Sequence, residues 1–173
     1  KKIDFLLDAC LLIKTKLPEF EMIFIGTGPQ TNLVEKFCNT NPWAVYVGEI
    51  TGVNRVKYFS VSKIQLMPGA VGLGVLDSIV LKVPLITTYI STHGPEFNYL
   101  ENGINGMVTK YSIKEYSEEV VSIFTNHQKY EHLIKGCEIA AAKYTIENMA
   151  LIFVNGILAA LSIEPDASRE NIS

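Results

Sequence analysis

The sequence is poor in the residues that most often build metal or disulfide centres. Its three cysteines, Cys10, Cys38 and Cys137, are odd in number and far apart, so neither a disulfide framework nor a metal-ligand spacing is present. His93, His127 and His132 have no ligand-like arrangement with them, and no metal is expected. Lys and Arg are scattered without a basic run, and the formal net charge is −3, which argues against nucleic acid as a partner. No apolar stretch approaches the ~20 residues of a membrane-spanning helix, and no signal-peptide pattern opens the chain. What is present is a 173-residue sequence, 48% hydrophobic and 19% charged, long enough for one domain with a real core. A reduced, cytoplasmic, globular protein is the expectation. The chain opens at Lys1-Lys2-Ile3 already inside a helical pattern, so a piece of a longer protein is expected.

The richest stretch runs from Met67 to Thr88 (MPGAVGLGVLDSIVLKVPLITT). A short apolar strand at 64–67 leads into a turn with glycines at 69, 72 and 74. A helix is expected over 72–81 and a Pro-led strand over 84–87. Glycine lets backbone come close to a ligand, and helix-start N–H groups with the helix dipole favour an anion such as phosphate. Asp77, a little over one turn into the helix, suits a hydroxyl such as that of a ribose. The simpler reading of the three glycines is a close-packed turn, and that of Asp77 is an answer to the helix dipole.

Along the rest of the chain, helices are expected at 3–16, 29–39 with Pro29 at the first position, 53–60 capped by Thr51, 95–100, 112–126, 129–143 and 145–161. The helix from Ser112 carries a capping box with Glu115. Further strands are expected at 21–26, 45–48 and 107–109, and a loose polar tail from Glu164. Short apolar strands alternating with helices predict an α/β, Rossmann-like parallel sheet with helices on both faces. Ligands of such sheets bind beyond the carboxyl ends of the strands. Gly26-Thr27-Gly28, Gly48, the 69–74 turn and the 88–95 loop all follow strands. Gly26-Thr27-Gly28 also begins a dinucleotide fingerprint, but Thr31 stands where its third glycine belongs, so a tight strand-to-helix turn is the simpler reading. Walker A is excluded, since no Gly-Lys-Ser/Thr occurs. Glu49, His93 and Glu96 have plain readings as loop and helix-start residues, and Trp43 and the tyrosines as packing.

In order and spacing these motifs resemble the C-terminal, donor-binding domain of a GT-B glycosyltransferase of family 4, the large retaining group, over nearly the whole chain (1–163). The matching pieces are KKIDFLLDA at the start, IFIGTGP at 23–29, VYVG at 45–48, the Met67 to Thr88 stretch, and Gly94-Pro95-Glu96 followed by YLENGING at 99–106. The resemblance implies that the backbone at Gly72, Leu73, Gly74 and Val75, with Lys1, meets a donor diphosphate. Asp77 would hold the ribose; Val47, Gly48 and Glu49 would lie near the base; Gly26, Thr27 and Gly28 would line the cleft. No catalytic residue is assigned. Of the family's two spaced glutamates, Asp77 replaces the second and the first has no counterpart; Lys82 stands near a usual small-residue position.

The implied chemistry is transfer of a sugar from a UDP-, GDP- or ADP-linked donor to a sugar or lipid-linked acceptor, with retention, no cofactor and no metal. The full-length protein is expected in the cytoplasm or at the inner face of the membrane, contacting it peripherally through a missing N-terminal domain; the fragment alone is expected to be inactive and to self-associate. The alternatives are another GT-B nucleotide-sugar enzyme of epimerase type and a non-catalytic nucleotide-binding domain. The resembled fold also places a strand before Lys1, between strands 22–25 and 64–67. Without it, those two strands could close on each other, pair with a second chain or leave an unfilled slot, and closure or pairing is expected over an open slot, whose exposed strand edges are prone to association.

Overall fold

The computed structural model describes residues 1–161. The chain folds as α1 (Ile3–Lys16), β1 (Met22–Phe24), α2 (Thr31–Thr40), β2 (Ala44–Tyr46), α3 (Val53–Ser60), β3 (Gln65–Leu66), α4 (Gly74–Val80), β4 (Leu85–Thr88), a 3₁₀ turn (Pro95–Tyr99), β5 (Gly106–Thr109), α5 (Ile113–Thr125), α6 (His127–Lys143) and α7 (Ile146–Leu161). The alternation of strand and helix is the one the sequence predicts, and every strand pair is parallel. The architecture is Rossmann-like α/β, with helices on both faces.

β4, Leu85-Ile86-Thr87-Thr88, runs through the core. All four of its residues are buried. Successive strand side chains point to opposite faces. Ile86 joins the cluster built with α1 and α5, whereas Leu85 joins the one built with Val75 and Ile79 of α4 and Ala140 of α6. Tyr116 of α5, wholly buried, donates its hydroxyl to the Ile86 carbonyl at 3.0 Å, so its one polar atom is satisfied. Burial pushes its ionisation well above the ordinary tyrosine range. α1 buries Phe5, Leu6, Leu7, Ala9, Cys10 and Ile13, mostly against α5; each large side chain of this kind contributes about 1.5–3 kcal/mol.

Several boundaries differ from the sequence reading. The strands form two sheets, β1-β2 and β3-β4-β5, and no ladder bond joins β1 to β3 among the described residues. The expected closure of these strands is therefore not seen. The two sheets are held together by side chains instead: one apolar cluster contains Phe24 and Ala44 from the first sheet, Ile86 from the second and the buried face of α1. Pro29 precedes α2 by a turn, with Gln30 at the N-cap. Gly52, not Thr51, precedes α3. α4 starts at Gly74 because the left-handed φ of +57° at Gly72 cannot belong to a right-handed helix.

The Ser112 cap forms, with its hydroxyl accepting from Glu115 N–H at 3.3 Å, but Glu115 turns to Lys110 at 3.5 Å rather than back to the cap. Lys82 also has a left-handed φ, 57°, a conformation that L-residues rarely adopt; its ammonium pairs with Glu138 at 2.8 Å. α7 is largely apolar and buries no residue, and among the described residues no single helix is long and apolar enough to cross a membrane. The tail from Glu164 lies outside the described residues.

Candidate functional site

The chain start and the glycine turn, distant in sequence, are brought together. Lys1 Nζ donates to the carbonyls of Ala70 at 2.6 Å and Val71 at 3.3 Å. It lies 3.7 Å from where a Cβ on Gly72 would stand. Gly69 permits this approach: a Cβ there would lie 2.6–2.8 Å from the Lys1 backbone, closer than real Cβ atoms come. Partial burial strips water from the Lys1 ammonium and lowers its pKa from 10.5, and the nearby Glu96 carboxylate partly opposes this. Glu96 curls back over Gly94, where any Cβ would strike its Oε2. The turn at 69–72 thus carries a cation on its rim, with Gly72, Leu73, Gly74 and Val75 leading into α4. Val75 is fully buried and anchors that start, while Leu73 is 67% exposed.

The second glycine turn is joined to the third. Gly26 N–H donates to the Gly48 carbonyl at 2.7 Å, extending the β1-β2 pairing past both strand ends. This places Gly26, Thr27 and Gly28 beside Val47, Gly48 and the exposed Glu49. Gly28 N–H donates to the Thr31 hydroxyl at 3.0 Å. The residue that interrupts the dinucleotide fingerprint therefore closes the turn, which favours the structural reading of that motif. Gln30 at the end of this turn donates to Asp4 of α1 at 2.8 Å. The start of α1 consequently touches both turns, through Lys1 on one side and Asp4 on the other.

Asp77 is not free. Its Oδ1 receives Arg55 Nη2 at 2.8 Å, with the two side chains 28% and 42% exposed. Arg55 is one of only two arginines in the chain, the other being Arg169. No local motif marks it, since a residue of α3 reaching a carboxylate of α4 is a tertiary contact. Glu96 is the other charged residue whose field at Lys1 the sequence did not show. His93 has a structural role: its Nε2 lies 2.8 Å from the Thr88 carbonyl and its ring stacks on Phe97 at 4.1 Å. Cys10 and Cys137 are buried, and loss of hydration pushes both thiols up to about 12, so neither is a nucleophile near neutrality. Among the described residues no three His, Cys, Asp or Glu side chains converge.

The fold and site define a Rossmann-like α/β domain that gathers glycine turns, a lysine and a carboxylate at its strand ends. The particular family is settled by sequence: residues 1–126 match the family model for glycosyl transferases group 1, and the chain belongs to that family. No curated protein matches it. Among solved structures it is similar to the pneumococcal O-GlcNAc transferase GtfA in complex with UDP and GlcNAc, at a TM-score of 0.76 and 16% identity over 94% of this chain and 34% of that one. It is also similar to S. aureus TarM in complex with fondaparinux, alpha-GlcNAc-glycerol and UDP, at a TM-score of 0.75 and 20% identity over 90% of this chain and 32% of that one. A third likeness is to the C-terminal domain of LpcC, a glycosyl transferase group 1 family protein from Francisella tularensis, at a TM-score of 0.69 and 16% identity over 84% of this chain and 80% of that one. The chain spans about a third of the length of GtfA and TarM.

Proposed function

We propose that the chain is the donor-binding, C-terminal half of a retaining glycosyltransferase that takes a sugar from a nucleotide-sugar. The observation that carries this is the Lys1 ammonium, held by the Ala70 and Val71 carbonyls on the rim of the glycine turn. In this reading the donor diphosphate lies over Gly72, Leu73, Gly74 and Val75 with Lys1 as its counter-charge. Asp77 accepts from the ribose, and the base lies toward Val47, Gly48 and Glu49, with the Gly26-Thr27-Gly28 turn lining the cleft. The hard step of such a transfer is departure of the nucleoside diphosphate, and a fixed ammonium stabilises the charge that develops there. The UDP and sugar ligands named for GtfA and TarM support a nucleotide-sugar donor, and the coverage of LpcC supports a C-terminal domain. Positioning the sugar or lipid-linked acceptor falls to the rest of the protein, so this half alone should bind donor and hardly turn over.

Calorimetry of the chain with UDP, GDP, ADP and their sugar conjugates tests the reading. One nucleoside diphosphate should bind, and Asp77→Ala should weaken it by about tenfold, the worth of one charge-assisted hydrogen bond, without weakening inorganic pyrophosphate. Absence of binding by all three nucleotides, or an equal loss for nucleotide and pyrophosphate, would refute it.

A further inference from the structure

We infer that Arg55 is a positioning residue of the nucleotide subsite: it holds one oxygen of Asp77 so that the other is presented to a ribose hydroxyl. The inference rests on the ribose reading of Asp77 given above. α3 buries none of its residues, and Val53 at its start is 81% exposed. Packing therefore does little to place this helix. Among the described residues, the one hydrogen bond or ion pair between α3 and another element is Arg55 Nη2 to Asp77 Oδ1 at 2.8 Å. An ion pair this exposed adds little to folding stability, so its consequence is local.

That consequence is geometric. A carboxylate offers about four lone-pair sites over its two oxygens. The guanidinium occupies Oδ1, and no hydrogen bond from the described residues reaches Oδ2. With Oδ1 engaged by the guanidinium, the carboxylate is biased toward one orientation and Oδ2 keeps its lone pairs for hydroxyl donors. Part of the rotamer freedom that a ligand would otherwise have to remove is thereby reduced, the general source of affinity by preorganisation. Arginine suits the task because its planar fork stays charged and directs its donors rigidly. Lysine would supply the charge without the fixed direction.

The test compares UDP, 2′-deoxy-UDP and inorganic pyrophosphate by calorimetry on the 173-residue chain and on Arg55→Ala and Arg55→Lys, with thermal unfolding as a check on folding. GDP and ADP pairs replace UDP where the chain prefers them. Arg55→Ala is expected to weaken the ribonucleotide by about fivefold, within the coupling expected for contacting residues. It should shrink the preference for ribo- over 2′-deoxyribonucleotide and leave pyrophosphate unchanged. Arg55→Lys should restore part of the affinity and less of the preference. Unchanged or tighter nucleotide binding by folded Arg55→Ala would overturn the inference, as would equal losses for nucleotide and pyrophosphate. Failure of the unsubstituted chain to bind any of the three nucleotides would instead overturn the donor-binding reading on which it rests.

Discussion

Gly72 joins the backbone conformation of the turn to its proposed use, and the two can be separated by choice of substituent. Its φ is +57°, and the nearest atom to an added Cβ is Lys1 Nζ at 3.7 Å, an ordinary contact. Alanine therefore fits, and its cost is conformational: about 1–2 kcal/mol for a left-handed L-residue, partly offset by the ~0.5–1 kcal/mol of chain entropy that glycine loses on folding. A net loss near 1 kcal/mol lowers Tm by roughly 2–4 °C in a chain of this size. Asparagine visits the left-handed region readily, so Gly72→Asn should unfold close to the unsubstituted temperature. Its side chain nevertheless extends toward the ammonium and over the turn. Gly72→Val adds β-branching, which makes the same conformation a true outlier, and should cost most in Tm.

Nucleoside diphosphate affinity should fall by at least ~1.4 kcal/mol, about tenfold, in both the Asn and Val proteins. Differential scanning calorimetry and isothermal titration on the same samples read the two effects separately. Normal binding by a folded Gly72→Asn protein would place the diphosphate elsewhere. An unchanged Tm for Gly72→Ala would show that the turn does not need a left-handed residue.

Two further outcomes follow from packing. Gly136→Ala lies inside α6, where alanine normally gains ~1 kcal/mol. Here the new Cβ would overlap the Ile104 carbonyl, a backbone group that cannot step aside. The overpacking cost of ~1–3 kcal/mol should win, and a raised Tm would contradict it. Cys10 and Cys137 are buried whereas Cys38 is half-buried, so a thiol reagent should modify Cys38 first and the other two only on unfolding. Because the Cys10 and Cys137 thiols ionise near 9.0 when unfolded but about 12 when folded, their contribution is intact below 9.0. It is lost as pH rises toward 12, so the denaturation midpoint should fall over that window.

Local chemistry alone determined much of this protein. The Pro-led strand expected over 84–87, the strand–glycine–helix order around Gly72, the Ser112 cap and the alternation that gives a parallel α/β fold are written in neighbouring residues, because turn conformations, caps and strand burial depend on short-range backbone sterics and side-chain size. The motif spacing also carried the resemblance to glycosyltransferases, and the match to glycosyl transferases group 1 over residues 1–126 agrees with that coarser reading. Only the tertiary structure decided that the strands divide into two sheets tied by the α1 core, since ladder bonds join segments far apart in sequence. It alone placed the Lys1 ammonium on the Ala70 and Val71 carbonyls and Arg55 on Asp77. Those contacts have no periodicity and no spacing rule. An ion pair between α3 and α4 needs only that folding bring two charges within hydrogen-bond reach, and one sequence read in order does not record that distance.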